Sequence, residues 1–334
     1  MSVVKGIFVG LWRAVASPGL VVWLWLVNLV VALPAAVVIS ESLRSSIGAS
    51  LVHEDMAAGF DMDWYGEFRE GADGLEATFT PTVVGVGAFY SNIEDWLFGG
   101  LFRQFPGVVA LGAVYALLWV LFVGGILDRF TDSGGFFRLS RFFTVGGRFF
   151  FRFLRLAVFS GVLYFLAYRF AGWLFGRIDD WTRDVTVEGT VLATVLLGTA
   201  FVALLLSLVN VVFDYAKIAT FVEDRRSMLL AALRGLRFVL SHPAKTLGLY
   251  FGLGSLGVVL LALYGYVAPG AAQSTVTSVV LAFLVGQAYL IAKLMLRLAF
   301  YGGELSIYQD AVRAEERGEP SEAPEAPEVT ESAE

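Results

Sequence analysis

The chain has 334 residues, of which 57% are hydrophobic and only 16% charged, and its mean hydropathy is +0.71. Soluble domains carry about 25% charged residues, so a soluble two-domain reading is excluded. With no cysteine, disulfide and thiol chemistry are excluded as well, and the net charge of −6 identifies no partner because the charges are sorted by connection.

Six apolar runs follow one another, at about 20–40, 106–127, 155–175, 190–213, 246–267 and 275–296. Each reaches the roughly 20 residues that a helix needs to cross about 30 Å of hydrocarbon. None alternates in polarity as a barrel strand would. The expected fold is therefore all-α and membrane-integral, with six transmembrane helices arranged as three hairpins over residues 1–310. The first run lacks a short apolar core followed by a small-residue cleavage site, so it reads as a retained span.

Taken in order, the connections alternate in charge. The stretch before the first run carries Lys5 and Arg13 and no acid. The connection 41–105 carries eleven acids against Arg44, Arg69 and Arg103. The stretch 128–155 holds six arginines against Asp128 and Asp132, the next connection is acidic, and 214–245 again holds six Lys/Arg. Lys/Arg-rich connections face the cytoplasm, so both termini are expected there. Trp23, Trp25, Trp173, Tyr264 and Tyr266 fall near the expected interfaces, where such rings settle.

Surface helices are expected before each odd-numbered run. Ser2–Ala16 ends at Ser17-Pro18, and Ser227–Leu240 ends at Ser241-His242-Pro243. In both, a Gly precedes the Pro by eight residues: Gly10 to Pro18, and Gly235 to Pro243. The residue before a proline avoids the α region, which suits an elbow. The middle stretch, 136–153, lacks the proline. At about 100° per residue, Arg138, Arg141, Arg148, Arg152 and Arg155 share one face, with Phe142, Phe143, Phe149, Phe150 and Phe153 off it. Phe137 and Val145 intrude, and Gly146-Gly147 is expected to interrupt the helix. Such a face either binds anionic lipid headgroups or simply anchors the topology.

Candidate sites are few. Asp61-Met62-Asp63 begins like a calcium loop, but Tyr65 and Ala72 stand where carboxylates are needed. His53-Glu54 is followed by Ala57 rather than the histidine of a zinc peptidase, and His242 is the only other histidine. No metal, cofactor or catalytic residue is expected, and no nucleophile–base pair marks an enzyme. Arg169, in the third run, reads as snorkelling. Asp214 and Lys217 end the fourth run; Lys293, Arg297 and Glu304 lie in or after the sixth. Ionisable groups near spans are functional candidates. A network from Asp214 to Lys293 or Arg297 is one expectation, and snorkelling to the interface is the other. Asn28 and Pro34 could kink the first span. Gly248, Gly252 and Ser255 share a face suited to close helix packing, internal or between copies. The tail 311–334, rich in Glu and Pro, is expected to be disordered.

The run Asn210, Asp214, Tyr215, Lys217, then Glu223-Asp224-Arg225-Arg226-Ser227 and Ala231–Phe238, resembles a loose bacterial group of six-helix membrane proteins. That group includes the membrane domain fused to some glycerophosphodiester phosphodiesterases. The resemblance implies a multi-pass protein of the bacterial inner membrane, concerned with lipids or the envelope. The catalytic domain has no counterpart here, so its activity does not carry over. Two functions are expected: lipid handling, transport or envelope maintenance, or a scaffold binding partners through the segment 41–105 and the tail. Expected partners are membrane lipids, anionic ones included, and a second copy or another membrane protein; nucleic acid is not among them.

Overall fold

The computed structural model describes residues 1–48, 61–79, 106–132, 136–268 and 275–317, and all regular structure among them is helical. In order these are α1 (Val3–Val15), α2 (Pro18–Gly48), α3 (Met62–Gly71), α4 (Pro106–Thr131), α5 (Leu139–Thr182), α6 (Glu188–Val222), α7 (Met228–Ser241), α8 (Pro243–Val267) and α9 (Val276–Glu316). A short 3-10 turn, Glu76–Thr78, follows α3. Six of them, α2, α4, α5, α6, α8 and α9, are long and apolar enough to cross a membrane. His53-Glu54, most of the segment 41–105 and the tail from 318 lie outside the described residues, whereas residues 311–316, expected to be disordered with the rest of the tail, continue α9 as helix.

The two proline elbows form as expected. Pro18 opens α2 and Pro243 opens α8, where a missing N–H costs nothing because the first turn has no acceptor for it. The middle unit departs from expectation. Gly146-Gly147 does not interrupt the chain, and α5 runs unbroken for 44 residues. At about 1.5 Å per residue it is roughly 66 Å long, twice the hydrocarbon thickness, more than a single crossing needs. Two glycines weaken a helix by about 1 kcal/mol each. Burial of Phe142, Phe149 and Phe153 on the same stretch outweighs that cost. Asn28 and Pro34 leave α2 continuous, and Asn28 Nδ2 donates to Leu24 O at 2.7 Å.

Packing is concentrated at the end of the bundle that carries α1 and α7, here called the base. There α4, α6 and α9 meet one another, and a surface helix lies on each: the start of α5 on α4, α7 on α6, and α1 on α9. Hairpin partners α5 and α6, and α8 and α9, pack along their length, whereas α2 makes only slight contact with α4. Ile126, Leu127, Ile218, Leu298 and Leu305 are fully buried at this meeting. Away from the base, Val30, Phe165, Leu197 and Leu281 are exposed, as side chains facing hydrocarbon are. Beyond the far end of α2, Trp64, Tyr65 and Phe68 of α3 pack on Leu43, Ile47 and Phe79.

Three glycines explain the docking of the surface helices. A Cβ on Gly10, Gly146 or Gly235 would overlap the carbonyl oxygen of Ala299, Leu121 or Val212 respectively. Those carbonyls mark one register. From them, residues 121–132, 212–223 and 299–310 align without a gap, with Phe122, Phe213 and Phe300 in second place. The acids closing the three stretches each pair with the surface helix that follows, the last one cyclically. Asp132 pairs with Arg141, Glu223 with Arg234, and Asp310 with the Met1 amino group at 2.6 Å. The base is thus a three-fold repeat closed by docking α1 onto the last span.

Candidate functional site

The aligned register puts Ile126, Lys217 and Glu304 at one equivalent position, on the three helices that meet. Glu304 is 1% exposed, and neither carboxylate oxygen has a hydrogen-bond partner in the structure. Buried polar atoms are nearly always paired, so an acid held without a donor is costly to bury. The charges of Asp214 and Lys217 act on it without touching it. One turn apart on α6, Lys217 Nζ donates to Asp214 Oδ1 at 2.6 Å, and both side chains are mostly buried. Tyr215, between them in sequence, is fully buried with its hydroxyl unpartnered.

A polar chain leads away from this group. Tyr164 of α5 donates to Asn210 Oδ1 at 3.3 Å, and Asn210 Nδ2 donates to Tyr250 OH of α8 at 3.2 Å. Asn210 precedes Asp214 by one helical turn, so both project on the same side of α6. An acid, an ion pair and three tyrosine hydroxyls thus gather along α6 and the helices beside it, without a hydrogen bond joining Glu304 to the rest among the described residues. Arrangements of this kind inside spans mark ion and proton pathways.

Below it, the turn after α6 ties three elements together. Asp224 takes the left-handed backbone conformation (φ 49°), which asparagine and aspartate tolerate better than most residues. Its carboxylate accepts from Arg152, and from Arg148 at 3.2 Å. The hydrogen bond from Arg152 holds the Asp224 carboxyl below the usual range. Glu223 accepts from Tyr308 and Arg225, and from Arg234 at 3.2 Å. Burial opposes charge on Glu223, but these hydrogen bonds outweigh it and lower its pKa. Phe238 of α7 lies between Tyr215 and Tyr308, at ring separations of 4.9 and 4.7 Å.

Several expectations are corrected here. Asp214 pairs with Lys217, not with Lys293 or Arg297. Lys293 is exposed. Arg297 stands 3.5 Å over the Trp119 ring and reaches Tyr115 OH at 3.4 Å. The reason is position along the helix: Arg297 and Glu304, two turns apart, share a face of α9, but Glu304 lies about 10 Å further along, at the level where α4, α6 and α9 meet. The arginine face of α5 is also committed within the chain. Arg141 pairs with Asp128 and Asp132, and Arg148 and Arg152 pair with Asp224; of the five, Arg138 and Arg155 form no ion pair among the described residues, and Arg155 Nε donates to Phe151 O. Asp61 caps α3, its Oδ1 accepting from Asp63 N and Trp64 N, so it acts as a helix cap. Glu304, one of several ionisable candidates in the sequence, is set apart from Lys293 and Arg297 by the repeat, which aligns it with Ile126 and Lys217 at the meeting of the three helices.

Comparison with protein families, characterised proteins and solved structures finds no match.

Proposed function

We propose that this chain is a transport or lipid-handling protein of the bacterial inner membrane. In this reading Glu304 takes up and releases a proton or small cation beside the Asp214–Lys217 pair. The carrying observation is Glu304 itself, fully buried and without a donor where three spans meet. A group so costly to bury is kept for work rather than stability. The base, with both described ends and the arginine-rich connections, faces the cytoplasm in this reading, as the distribution of Lys and Arg supports. The resemblance over 210–238 agrees with it, since that stretch supplies Asp214, Lys217 and the Glu223-Asp224 turn. An apolar groove of about 390 Å³ between α5, α6 and α7, lined by Phe159, Leu163, Val212 and Leu233, has the character to hold an acyl chain.

The test is infrared difference spectroscopy of the protein in lipid vesicles across a pH jump. A carboxylic C=O band should titrate in the native protein, vanish in Glu304→Gln and return shifted in Glu304→Asp. If no band depends on Glu304, the reading fails. A membrane scaffold is the second reading, favoured by the close apolar packing around Ile126, Leu127, Ile218 and Leu305.

A further inference from the structure

At the edge of the base, apart from the acid–base cluster, a pocket of about 420 Å³ opens between three elements. The α1–α2 elbow supplies Trp12, Arg13 and Ser17; the end of α4 supplies Arg129; the last turns of α9 supply Gln309 and Arg313. Three guanidinium groups therefore line one cavity. None of the three has a carboxylate within 4 Å among the described residues. Asp132, the one acid lining the pocket, is already held by Arg141.

The donors are only partly used. Arg13 gives one N–H to Gly302 O at 2.8 Å, and Arg129 gives one to Asp132 O at 3.1 Å. Arg129 Nε is buried without any partner. Burial, and then repulsion from Arg313, lower the pKa of Arg13. Arg141, Arg152 and Arg234, also in the base, are each matched by acids. A cluster of like charges with spare, forked donors lacks its counter-ion. Guanidinium forks match the oxygens of phosphate, as of carboxylate, in spacing and charge, and a phosphate offers enough oxygens to meet several guanidinium groups at once.

We propose that this pocket binds a phosphate-bearing anion through Arg13, Arg129 and Arg313. The ligand is either a lipid headgroup entering beside Trp12 at the elbow or a free phosphate compound. Trp12, on the rim, is 63% exposed and sits where a ring would rest at headgroup depth.

The experiment uses the full chain in nanodiscs of uncharged lipid, with the thermal midpoint as readout. Inorganic phosphate is added in one arm, and in a second arm part of the lipid is replaced by phosphatidylglycerol. The native protein should show a rise in midpoint in at least one arm, beyond that given by chloride at equal ionic strength. A rise with phosphatidylglycerol alone assigns a headgroup; a rise with phosphate assigns a soluble ligand. Arg313→Gln, an exposed position, should reduce the response at least fivefold without lowering the unliganded midpoint, since it removes a repulsion with Arg13, and Arg313→Lys should retain most of the response. Arg129→Gln should reduce it likewise. A response equal to that of chloride, or one undiminished in both Gln variants, overturns the proposal.

Discussion

Lys217 and Glu304 occupy the same position on two equivalent inner helices, five residues after the carbonyl that receives a surface-helix glycine. Ile126 fills that position on the third helix and is fully buried. The three-fold repeat therefore places one apolar residue, one cation and one acid around a common meeting point. Only the cation has a formal partner, Asp214, at 2.6 Å. The asymmetry in an otherwise repeated base is what marks the site.

If Glu304 is kept for work, replacing it should stabilise the protein. Glu304→Met preserves volume and removes a buried acid whose oxygens lack donors, each unsatisfied group costing about 1–3 kcal/mol. The thermal midpoint in detergent should rise. A fall would mean that Glu304 holds the fold through a partner.

The Asp214–Lys217 pair should show coupling, and Asp214 with Arg297 should not. Breaking one side of a buried pair costs about 3–5 kcal/mol. Asp214→Asn and Lys217→Gln should each destabilise strongly, and the double variant should recover part of the loss. Asp214→Asn with Arg297→Gln should be additive, since Arg297 spends its charge on Trp119, a contact worth about 0.5–2 kcal/mol. Denaturation midpoints of the two cycles decide the matter.

Glycines that look alike in sequence should behave oppositely. Gly10→Ala, Gly146→Ala and Gly235→Ala push a Cβ against a carbonyl oxygen that cannot turn away, which costs about 1–3 kcal/mol each. A Cβ on Gly147 meets nothing within 4 Å. Gly147→Ala should therefore be neutral or gain up to about 1 kcal/mol in helix propensity. Equal effects at Gly146 and Gly147 would refute the docking register.

Acid should loosen the base through the Glu223-Asp224 turn. Both carboxyls are held below their ordinary values. Their ion pairs contribute fully above the unfolded carboxylate values of about 3.9–4.3, and that contribution is lost as the pH falls through the lower folded values. The midpoint should therefore drop toward pH 3 with a smaller slope in Asp224→Asn. At neutral pH, Asp224→Gly should be more stable than Asp224→Ala, because glycine accepts the positive φ.

Single cysteines introduced at Glu70, Gly147 and Arg226 would test the topology on a background that has no native thiol. A membrane-impermeant maleimide applied to intact cells should label position 70 only. Labelling of 147 or 226 from outside would reject the six-span arrangement with a cytoplasmic base.

The sequence by itself determined the helical, membrane-crossing character of the chain and the proline elbows at Pro18 and Pro243. Run length, hydropathy and the conformational limits of proline are local properties, and they act whatever the chain packs against. The sequence also showed Gly10 and Gly235 at matching distances from their prolines, but not what those glycines meet. Only the tertiary structure decided that α1 docks on the last span and closes the repeat, and that α5 continues through Gly146-Gly147. It likewise decided that Asp214 pairs along its own helix rather than with α9. Pairing of charges depends on which helices are neighbours and on the height along them at which each side chain sits: at about 100° and 1.5 Å per residue, three ionisable positions on α9 share a face but spread over roughly 16 Å of its length. Lys293, Arg297 and Glu304 lie within twelve residues of one another, yet one faces out, one covers a tryptophan and one is sealed in the base.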